Sequence, residues 1–170
     1  MEIRANLVVG SNGAMTVGGS SKGLSLSSDR QRFHEIRTWA DAILIGGSTS
    51  RTEPYGATPT PLYIWSRQAA LSSPAAQNPL AHLVVGTIES VLSGIESGGC
   101  HNLLCEGGPA LVSALVEINR LDGIYLTQSS QRGDGDFINL DLLLADFQEV
   151  DRSLSGDEIF RYLERNEGNS

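Results

Sequence analysis

The chain has 170 residues and a mass of 18.2 kDa, with 40% hydrophobic and 19% charged residues, which is enough to bury the core of one domain. Its formal net charge of -8, without any run of Lys or Arg, argues against a nucleic-acid or anionic-membrane partner, although a small phosphate-bearing ligand is compatible with a local positive site. No apolar run is as long as a membrane span, and the first four residues lack the charged-then-apolar order of a signal peptide. We therefore expect a cytoplasmic protein with one domain over residues 1–165 and a polar, disordered tail over 166–170.

Metal and disulfide chemistry find little support in the sequence. Cys100 and Cys105 are the only cysteines, too few for a disulfide scaffold. Cys105 falls in a predicted buried strand, where a free cysteine acts as a small hydrophobic residue. The histidines His34, His82 and His101 are scattered without the spacing of metal ligands, so no metal is expected.

Hydrophobic periodicity predicts alternating strands and helices. Apolar residues alternate over 3–9, which predicts a first strand that ends in an Asn-Gly turn at 10–13. A Gly- and Ser-rich loop follows, and Ser-Ser-Asp at 27–29 begins a predicted helix that reaches Ala40. Further predicted elements are strands at 42–45, 62–65 and 83–85, a helix at 87–95, a strand at 102–105, a helix from 109 to 118, and strands at 123–127 and 159–163. This alternation predicts an α/β sheet with helices on both faces and a ligand site at the carboxyl ends of its strands.

The most informative segment is 102–111, in which a short apolar strand passes through Glu106 and a Gly-Gly turn into a helix. Glycines let a ligand approach the backbone, Pro109 suits the first position of a helix, and free N–H groups at a helix start bind phosphate oxygens. The segment therefore predicts an anion cradle with Glu106 at its rim. A Gly-Gly turn between strand and helix also occurs for packing reasons alone.

Three predicted strand ends carry glycine or small polar residues, at 46–49, 66–67 and 106–108. Each can be an ordinary surface turn, but their recurrence after apolar strands favours one shared groove. Two nucleotide-binding motifs are excluded, because no G-x-G-x-x-G opens a first βα unit and because Gly19 stands where a P-loop needs its lysine. Residues 131–136 have incomplete calcium-ligand spacing and are expected to form a flexible loop near the groove.

Taken in order, these segments resemble the dihydrofolate-reductase-like fold in its riboflavin-pathway form. That family comprises the C-terminal reductase domain of bifunctional deaminase-reductases and the stand-alone pyrimidine reductases. The resemblance runs along the whole chain and is carried by Ser11-Asn12-Gly13, by 33–37 with 40–49, by 51–56, by 106–111 and by 159–162. It implies a mixed α/β sheet with helices on both faces, in a short and divergent member of the family.

The resemblance also implies an activity, that of an NADPH-dependent oxidoreductase similar to 5-amino-6-(5-phosphoribosylamino)uracil reductase of riboflavin biosynthesis. Such an enzyme transfers a hydride from the cofactor to the sugar C1 position of a small-molecule substrate, while the protein orients the reacting carbons and excludes water. Family members commonly pair as dimers, so the resemblance is compatible with a homodimer.

Residues that match cofactor positions of the family follow the predicted strand ends. The N–H groups of Gly108, Ala110 and Leu111 would bind the pyrophosphate of NADPH at a helix start. Ser66 and Arg67 would hold the 2′-phosphate and select NADPH over NADH, although Arg67 can equally be a solvated surface arginine. The full set of cofactor positions implied by the resemblance is Val8, Gly47, Thr49, Glu53, Ser66, Arg67, Gly107, Gly108, Pro109, Ala110 and Leu111.

On the substrate side, Arg37 and Glu106 match positions that contact the pyrimidine compound. Arg37 could instead be a helix-face charge that covers apolar surface. Asn12 stands where the family has an aspartate, so it can hydrogen-bond a substrate but cannot act as an acid or base. Arg51 is the basic residue that could fill the sugar-phosphate position, and Glu106 is the only carboxylate expected as a catalytic proton relay.

Departures from the family pattern leave two alternatives open. The loop at 56–61 is trimmed and lacks the arginine that usually binds the sugar phosphate. The chain could therefore be a reductase of the same fold that acts on another small substrate. It could also be a non-catalytic dinucleotide-binding protein, in which the helix start at Gly108 and Arg67 are retained while the substrate half is lost.

Overall fold

The computed structural model describes residues 1–25, 27–68, 70–71 and 74–166, and over 27–30 it describes the backbone alone. The side chains of the predicted helix start at 27–29 therefore lie outside the described residues. The same holds for the predicted tail beyond residue 166.

Strands and helices alternate along the described part of the chain. The strands are β1 (Glu2–Val9), β2 (Ala14–Thr16), β3 (Ala42–Gly46), β4 (Leu62–Trp65), β5 (Ala81–Val84), β6 (Asn102–Cys105), β7 (Gly123–Ser129), β8 (Gly135–Phe137), β9 (Phe147–Ser155) and β10 (Glu158–Arg165). The helices are α1 (Ser27–Arg37), α2 (Gly47–Thr52), α3 (Ile88–Ser97), α4 (Pro109–Glu117) and α5 (Leu140–Leu143), with short 3-10 turns at Ser21–Gly23 and Ala75–Gln77.

Eight of the strands form one mixed sheet in the order β5-β4-β3-β6-β1-β7-β10-β9. The strands β5, β4, β3, β6, β1 and β7, in that spatial order, run parallel to one another. The β9–β10 hairpin adds an antiparallel edge next to β7. β2 and β8 form a separate antiparallel pair. Because β1, β3, β4 and β6 are parallel, the residues that follow them meet at one edge of the sheet. The predicted mixed α/β sheet is confirmed.

The core lies on both faces of the sheet. The alternation over 3–9 places one set of β1 side chains, all buried, against α3 and α4, where Leu92 and Leu115 have no exposed surface. On the opposite face, Leu104 of β6 packs against Ile36 near the end of α1. Burying one such aliphatic side chain stabilises the fold by about 2 kcal/mol. Helices on both faces agree with the prediction from sequence.

Several predicted boundaries shift when tertiary packing is present. The helix predicted to reach Ala40 ends at Arg37, and a turn leads into β3. The strand predicted at 83–85 is β5, which runs from Ala81 to Val84. Val85 lies beyond the end of the strand and is 63% exposed. Helical spacing predicts a buried stripe of Ala110, Leu111, Ala114, Leu115 and Ile118 on the helix after Pro109. In α4 the buried residues are Leu111, Val112 and Leu115, so that stripe was wrong in including Ala110, which is exposed, and in omitting Val112.

Some elements have no signal in the sequence. Almost every side chain of β9 is exposed, so the strand has no apolar alternation. β2 and β8 have three residues each, and α2 and α5 are too short for a helical period. The loop predicted as flexible at 131–136 contains the start of β8, and the Asp134 carboxylate accepts hydrogen bonds from the N–H of Gly18 at 2.9 and 3.1 Å.

Membrane-spanning helices and metal-binding clusters are both absent from the described part of the chain. No helix there is both long enough and apolar enough to cross a lipid bilayer. No group of three His, Cys, Asp or Glu side chains in the same ranges is placed to hold a metal ion.

Candidate functional site

A groove with a volume of about 1130 Å³ opens at the carboxyl edge of the central strands. Its floor is built by Val8 of β1, Gly46 of β3, Trp65 of β4 and the segment after β6 that begins with Glu106. Residues of α1 and of the Gly-rich segment before it line the sides. The groove thus lies where parallel strands of an α/β sheet place their ligands.

Nearly all of the sequence-predicted site residues line this groove. They are Val8, Arg37, Gly47, Thr49, Arg51, Glu53, Ser66, Arg67, Glu106, Gly107, Gly108, Pro109, Ala110 and Leu111. These residues come from five separate stretches of sequence, and the sheet order brings them to one edge.

Asn12 does not line the groove. Its side chain donates from Nδ2 to the carbonyl oxygen of Gly133 at 2.9 Å and accepts at Oδ1 from the N–H of Gly133 at 3.1 Å. The carboxamide therefore ties the turn after β1 to the loop before β8. Asn12 holds a loop in place, and its predicted substrate contact receives no support from its position.

The centre of the groove is an ion pair between Arg37 and Glu106. Arg37 donates from Nε to Oε1 at 2.8 Å and from Nη2 to Oε2 at 2.6 Å, a two-pronged geometry. The Glu106 side chain is 3% exposed and that of Arg37 is 12% exposed. Burial opposes the charge of Arg37, but the hydrogen bonds and charge of Glu106 prevail, and the pKa of Arg37 is raised above its ordinary value.

The local structure fixes both partners of this ion pair. Glu106 follows directly after β6, and its N–H donates to the carbonyl oxygen of Leu44 at 3.0 Å, so the sheet holds its backbone. Arg37 ends α1, and its guanidinium lies 4.0 Å from the ring centroid of Phe33, one turn earlier. Arg37 is therefore a bound partner of Glu106, rather than a helix-face charge over apolar surface.

Tyr55 completes the cluster, and the sequence analysis did not identify it. Its hydroxyl donates to Oε2 of Glu106 at 2.8 Å. Burial, followed by the charge of Glu106, raises the pKa of Tyr55 well above its ordinary value, so the hydroxyl keeps its proton. All three hydrogen bonds of the Glu106 carboxylate are donated to it, so this group is an acceptor in the structure, and its predicted role as a proton relay stays a prediction.

The Gly-Gly turn after β6 has two glycines with different roles. A Cβ at Gly107 would lie 2.5 Å from Cδ2 and 3.0 Å from Cβ of Leu111, so packing against α4 requires glycine there. A Cβ at Gly108 would meet nothing closer than the Thr49 hydroxyl, 3.9 Å away, and would occupy the groove. Gly108 thus leaves a space between α2 and the start of α4 that a ligand could fill.

The start of α4 offers fewer free donors than the sequence predicted. The N–H of Leu111 already donates to the carbonyl oxygen of Gly108 at 3.1 Å. Pro109 has no N–H, which leaves the N–H groups of Gly108 and Ala110 without a hydrogen-bond partner among the described residues. Both of these residues line the groove at the start of the nine-residue helix α4, so two donors remain for an anionic ligand.

Glu53 has a structural contact beside its predicted cofactor role. Its carboxylate accepts a hydrogen bond from the N–H of Ser21 at 2.6 Å and one from the hydroxyl of Ser20 at 3.3 Å. These bonds fasten the Gly-rich segment to the end of α2. Glu53 therefore shapes the wall of the groove that it lines.

Cationic side chains stand at the rim. Arg51, Arg67 and Lys22 line the groove and are exposed, and none forms a salt bridge with a described residue. Arg51 donates from Nη1 to Oε1 of Gln68 at 3.3 Å, which places it beside the turn after β4. In a chain with net charge -8, this rim is a local positive region that suits an anionic ligand.

The structure also brings aromatic side chains to the groove that the sequence did not mark as functional. Phe33, Trp65 and Tyr55 line it together with His34. In the sequence, Phe33 and Trp65 stand only at apolar positions of a predicted helix and a predicted strand, which does not distinguish a groove residue from a core residue. Flat apolar surfaces of this kind can stack on planar rings.

The sheet order and the groove at its carboxyl edge define a dihydrofolate-reductase-like α/β protein. A dihydrofolate reductase from Enterococcus faecalis complexed with NADP(H) and RAB-propyl superposes with a TM-score of 0.71 at 13% identity, covering 98% of this chain and 97% of that chain. A pyrimidine reductase-like protein from Corynebacterium diphtheriae superposes with a TM-score of 0.81 at 18% identity, covering 98% of this chain and 92% of that chain. At such identities these similarities show the fold alone.

The chain belongs to the RibD C-terminal domain family, whose model matches residues 11–130. The resemblance to riboflavin-pathway pyrimidine reductases is thereby confirmed. The fold also matches a deaminase/5-amino-6-(5-phosphoribosylamino)uracil reductase from Thermotoga maritima, with a TM-score of 0.71 at 13% identity, over 97% of this chain but 56% of that protein. The chain thus spans about half the length of that bifunctional protein. No curated protein sequence is similar enough to count as a match.

Proposed function

We propose that the chain is a cytoplasmic NADPH-dependent reductase of a phosphoribosylamino-pyrimidine, which it converts to the ribitylamino form by hydride transfer to the sugar C1 position. One observation carries the proposal: the open space at Gly108 and the buried Arg37–Glu106 pair lie in the same groove. The first feature suits a dinucleotide phosphate and the second suits a polar ring, so a cofactor and a substrate can meet there.

The residues around Gly108 fit the pyrophosphate of a dinucleotide. A side chain at Gly108 would fill the space beside Thr49, and the N–H groups of Gly108 and Ala110 are free to donate to phosphate oxygens. Thr49 adds a hydroxyl on the facing side. The bound cofactor would supply the hydride, and these residues would hold it in one orientation.

The exposed Arg67 beside Ser66 fits the 2′-phosphate that distinguishes NADPH from NADH. A guanidinium binds a phosphate through two parallel N–H donors and does so best when no carboxylate competes for it. Arg67 forms no salt bridge within the described part of the chain. Its place at the groove rim next to the end of β4 supports this assignment.

On the substrate side, Glu106 offers a fixed carboxylate to the N–H and amino groups of an amino-substituted pyrimidine. Arg37 and Tyr55 hold that carboxylate, while Phe33 and Trp65 line the groove with flat apolar surface that excludes water from the reacting carbons. Arg51, exposed at the same rim, is the candidate for the sugar phosphate.

A reductase of the same fold for another small substrate is the second candidate. It is favoured by the trimmed loop at 56–61, which lacks the arginine that usually binds the sugar phosphate. The two candidates differ in their dependence on Arg51. If Arg51→Ala leaves the KM for the phosphoribosylamino-pyrimidine unchanged, the second candidate is preferred.

The proposal is tested first by titrating the purified protein with NADPH and with NADH, and then by following NADPH oxidation with the phosphoribosylamino-pyrimidine. We expect Arg67→Ala to weaken NADPH binding about tenfold with little effect on NADH, since one charge-assisted contact is lost. Arg152→Ala, which removes an arginine of the distant strand β9, is the charge-matched control. Binding of neither nucleotide would rule out the cofactor assignment, and binding without turnover would point to another substrate or to a non-catalytic role.

A further inference from the structure

Tyr55 is anchored both by the packing of its ring and by a hydrogen bond to its backbone. Its ring lies in an apolar cluster with Ile43 and Ile64 of the sheet. Its carbonyl oxygen accepts a hydrogen bond from Nδ2 of the buried Asn78 at 3.2 Å. Asn78 is itself fixed, because its Oδ1 accepts from the N–H of Leu80 at 2.9 Å. Ring and backbone are thus both anchored, and the hydroxyl is the one polar group of the side chain.

That hydroxyl has a single direction available to it. It donates to Oε2 of Glu106 at 2.8 Å, and the side chain of Tyr55 cannot turn away without leaving its apolar cluster. Arg37 donates to both oxygens of the same carboxylate, and its guanidinium lies 5.5 Å from the centroid of the Tyr55 ring. The two-pronged contact of Arg37 fixes the plane of the carboxylate, and the Tyr55 hydroxyl occupies a further lone pair of Oε2, which limits the lone pairs left for a ligand.

We propose that Tyr55 is a positioning residue, which acts through Glu106 to fix the acceptor geometry that a substrate with adjacent N–H donors meets in the groove. This inference rests on the proposed function, because the substrate is taken to bind Glu106. It adds a residue 51 positions away in sequence that does not itself need to touch the substrate. Without the Tyr55 hydroxyl, Oε2 of Glu106 would lose one of its two donors, and Arg37 alone would hold the carboxylate.

The role of Tyr55 predicts a specific kinetic pattern. Tyr55→Phe keeps the ring in its cluster and removes only the hydroxyl. We expect the KM for the phosphoribosylamino-pyrimidine to rise about tenfold, the value of one hydrogen bond to a charged group, while kcat changes less than about threefold. The Kd for NADPH should stay within about twofold, because the Tyr55 hydroxyl bonds Glu106 and not the residues at Gly108 that are assigned to the phosphates.

A double-mutant cycle separates positioning from simple structural support. The Kd of the substrate is measured by calorimetry for wild type, Tyr55→Phe, Glu106→Gln and the double variant. If Tyr55 acts through Glu106, Tyr55→Phe has no further effect once Glu106 is replaced. Tyr63→Phe is the matched control, since Tyr63 lies outside the groove and its hydroxyl has no hydrogen-bond partner among the described residues.

An infrared measurement makes the inference independent of the substrate. The carboxylate band of Glu106 is assigned by its loss in Glu106→Gln, and we expect the band to shift in Tyr55→Phe but not in Tyr63→Phe. Equal effects of Tyr55→Phe on substrate Kd in both backgrounds, or a lowered kcat at unchanged KM, would overturn the inference. If wild type does not bind the pyrimidine at all, the proposed function fails, and the infrared band alone tests the role of Tyr55. A shifted band in Tyr55→Phe supports the positioning of Glu106 by Tyr55, and an unshifted band refutes it.

Discussion

Arg37 and Glu106 are 69 positions apart in the chain and form a two-pronged ion pair at the centre of the groove, with N–O distances of 2.8 and 2.6 Å. One partner ends a helix on one face of the sheet, and the other follows the strand β6 at its middle. Both are largely buried, so each charge depends on the other for its stabilisation.

Replacing one partner of this pair should be more harmful than replacing both. Glu106→Gln leaves the Arg37 charge buried without a counter-charge, and we expect a loss of about 3 kcal/mol in the free energy of unfolding. Arg37→Met combined with Glu106→Leu should cost less than the sum of the single changes, because no uncompensated charge remains. Urea denaturation of the single and double variants measures this difference. Additive effects would show that the two side chains stabilise the fold independently.

The two glycines after β6 should respond oppositely to a methyl group. Gly107→Ala places a Cβ against Leu111, and we expect a loss of about 1–3 kcal/mol in stability from the forced shift. Gly108→Ala adds its Cβ to open space, so stability should hardly change while NADPH affinity falls about tenfold. Thermal melts and NADPH titrations of both variants provide the comparison. An unchanged NADPH affinity in Gly108→Ala would place the pyrophosphate elsewhere.

The loop contact of Asn12 should not tolerate an aspartate. Asn12 donates to the carbonyl oxygen of Gly133 and accepts from its N–H, and a carboxylate can only accept. We expect Asn12→Asp to lower stability by about 1–2 kcal/mol, because an acceptor would face an acceptor. Asn139→Asp is the matched control, since Asn139 caps α5 only by accepting from the N–H of Leu142. A variant Asn12→Asp with wild-type stability would show that the Gly133 contact is dispensable.

Acid stability should depend on Glu149. Hydrogen bonds from Arg152 and Arg161 lower the pKa of this exposed carboxyl from 4.5 to about 2. The charged form is favoured in the folded state, so its contribution to stability is complete above pH 4.5 and is lost as the pH falls towards 2. Melting temperatures across this window should fall less in Glu149→Gln than in wild type. The difference should shrink at high salt, and identical pH profiles would contradict the pairing.

Much of the scaffold follows from local patterns in the sequence. The alternation over 3–9 is β1, the apolar run at 62–65 is β4, and the Gly-Gly turn after β6 does open a helix at Pro109. These features are local because period, turn chemistry and helix starts depend on neighbours within a few residues. β9 was missed for the same reason, since its side chains are nearly all exposed and hydrogen bonds to β10 alone make it a strand.

The composition of the groove was determined in part by the sequence and in part by tertiary structure alone. The strand-to-helix motif at 102–111 indicated Glu106 and the glycines, and the resemblance to the family implied Thr49 and Arg37. Nothing local marks Tyr55, whose hydroxyl reaches Glu106 only because β3 lies beside β6 in the sheet. Conversely, Asn12 stands next to a strand end in sequence, but its carboxamide forms hydrogen bonds with the backbone of Gly133. Strand order and register decide which side chains share a buried space, and both are properties of the folded sheet. The individual strands and helices, in contrast, follow largely from local patterns in the sequence.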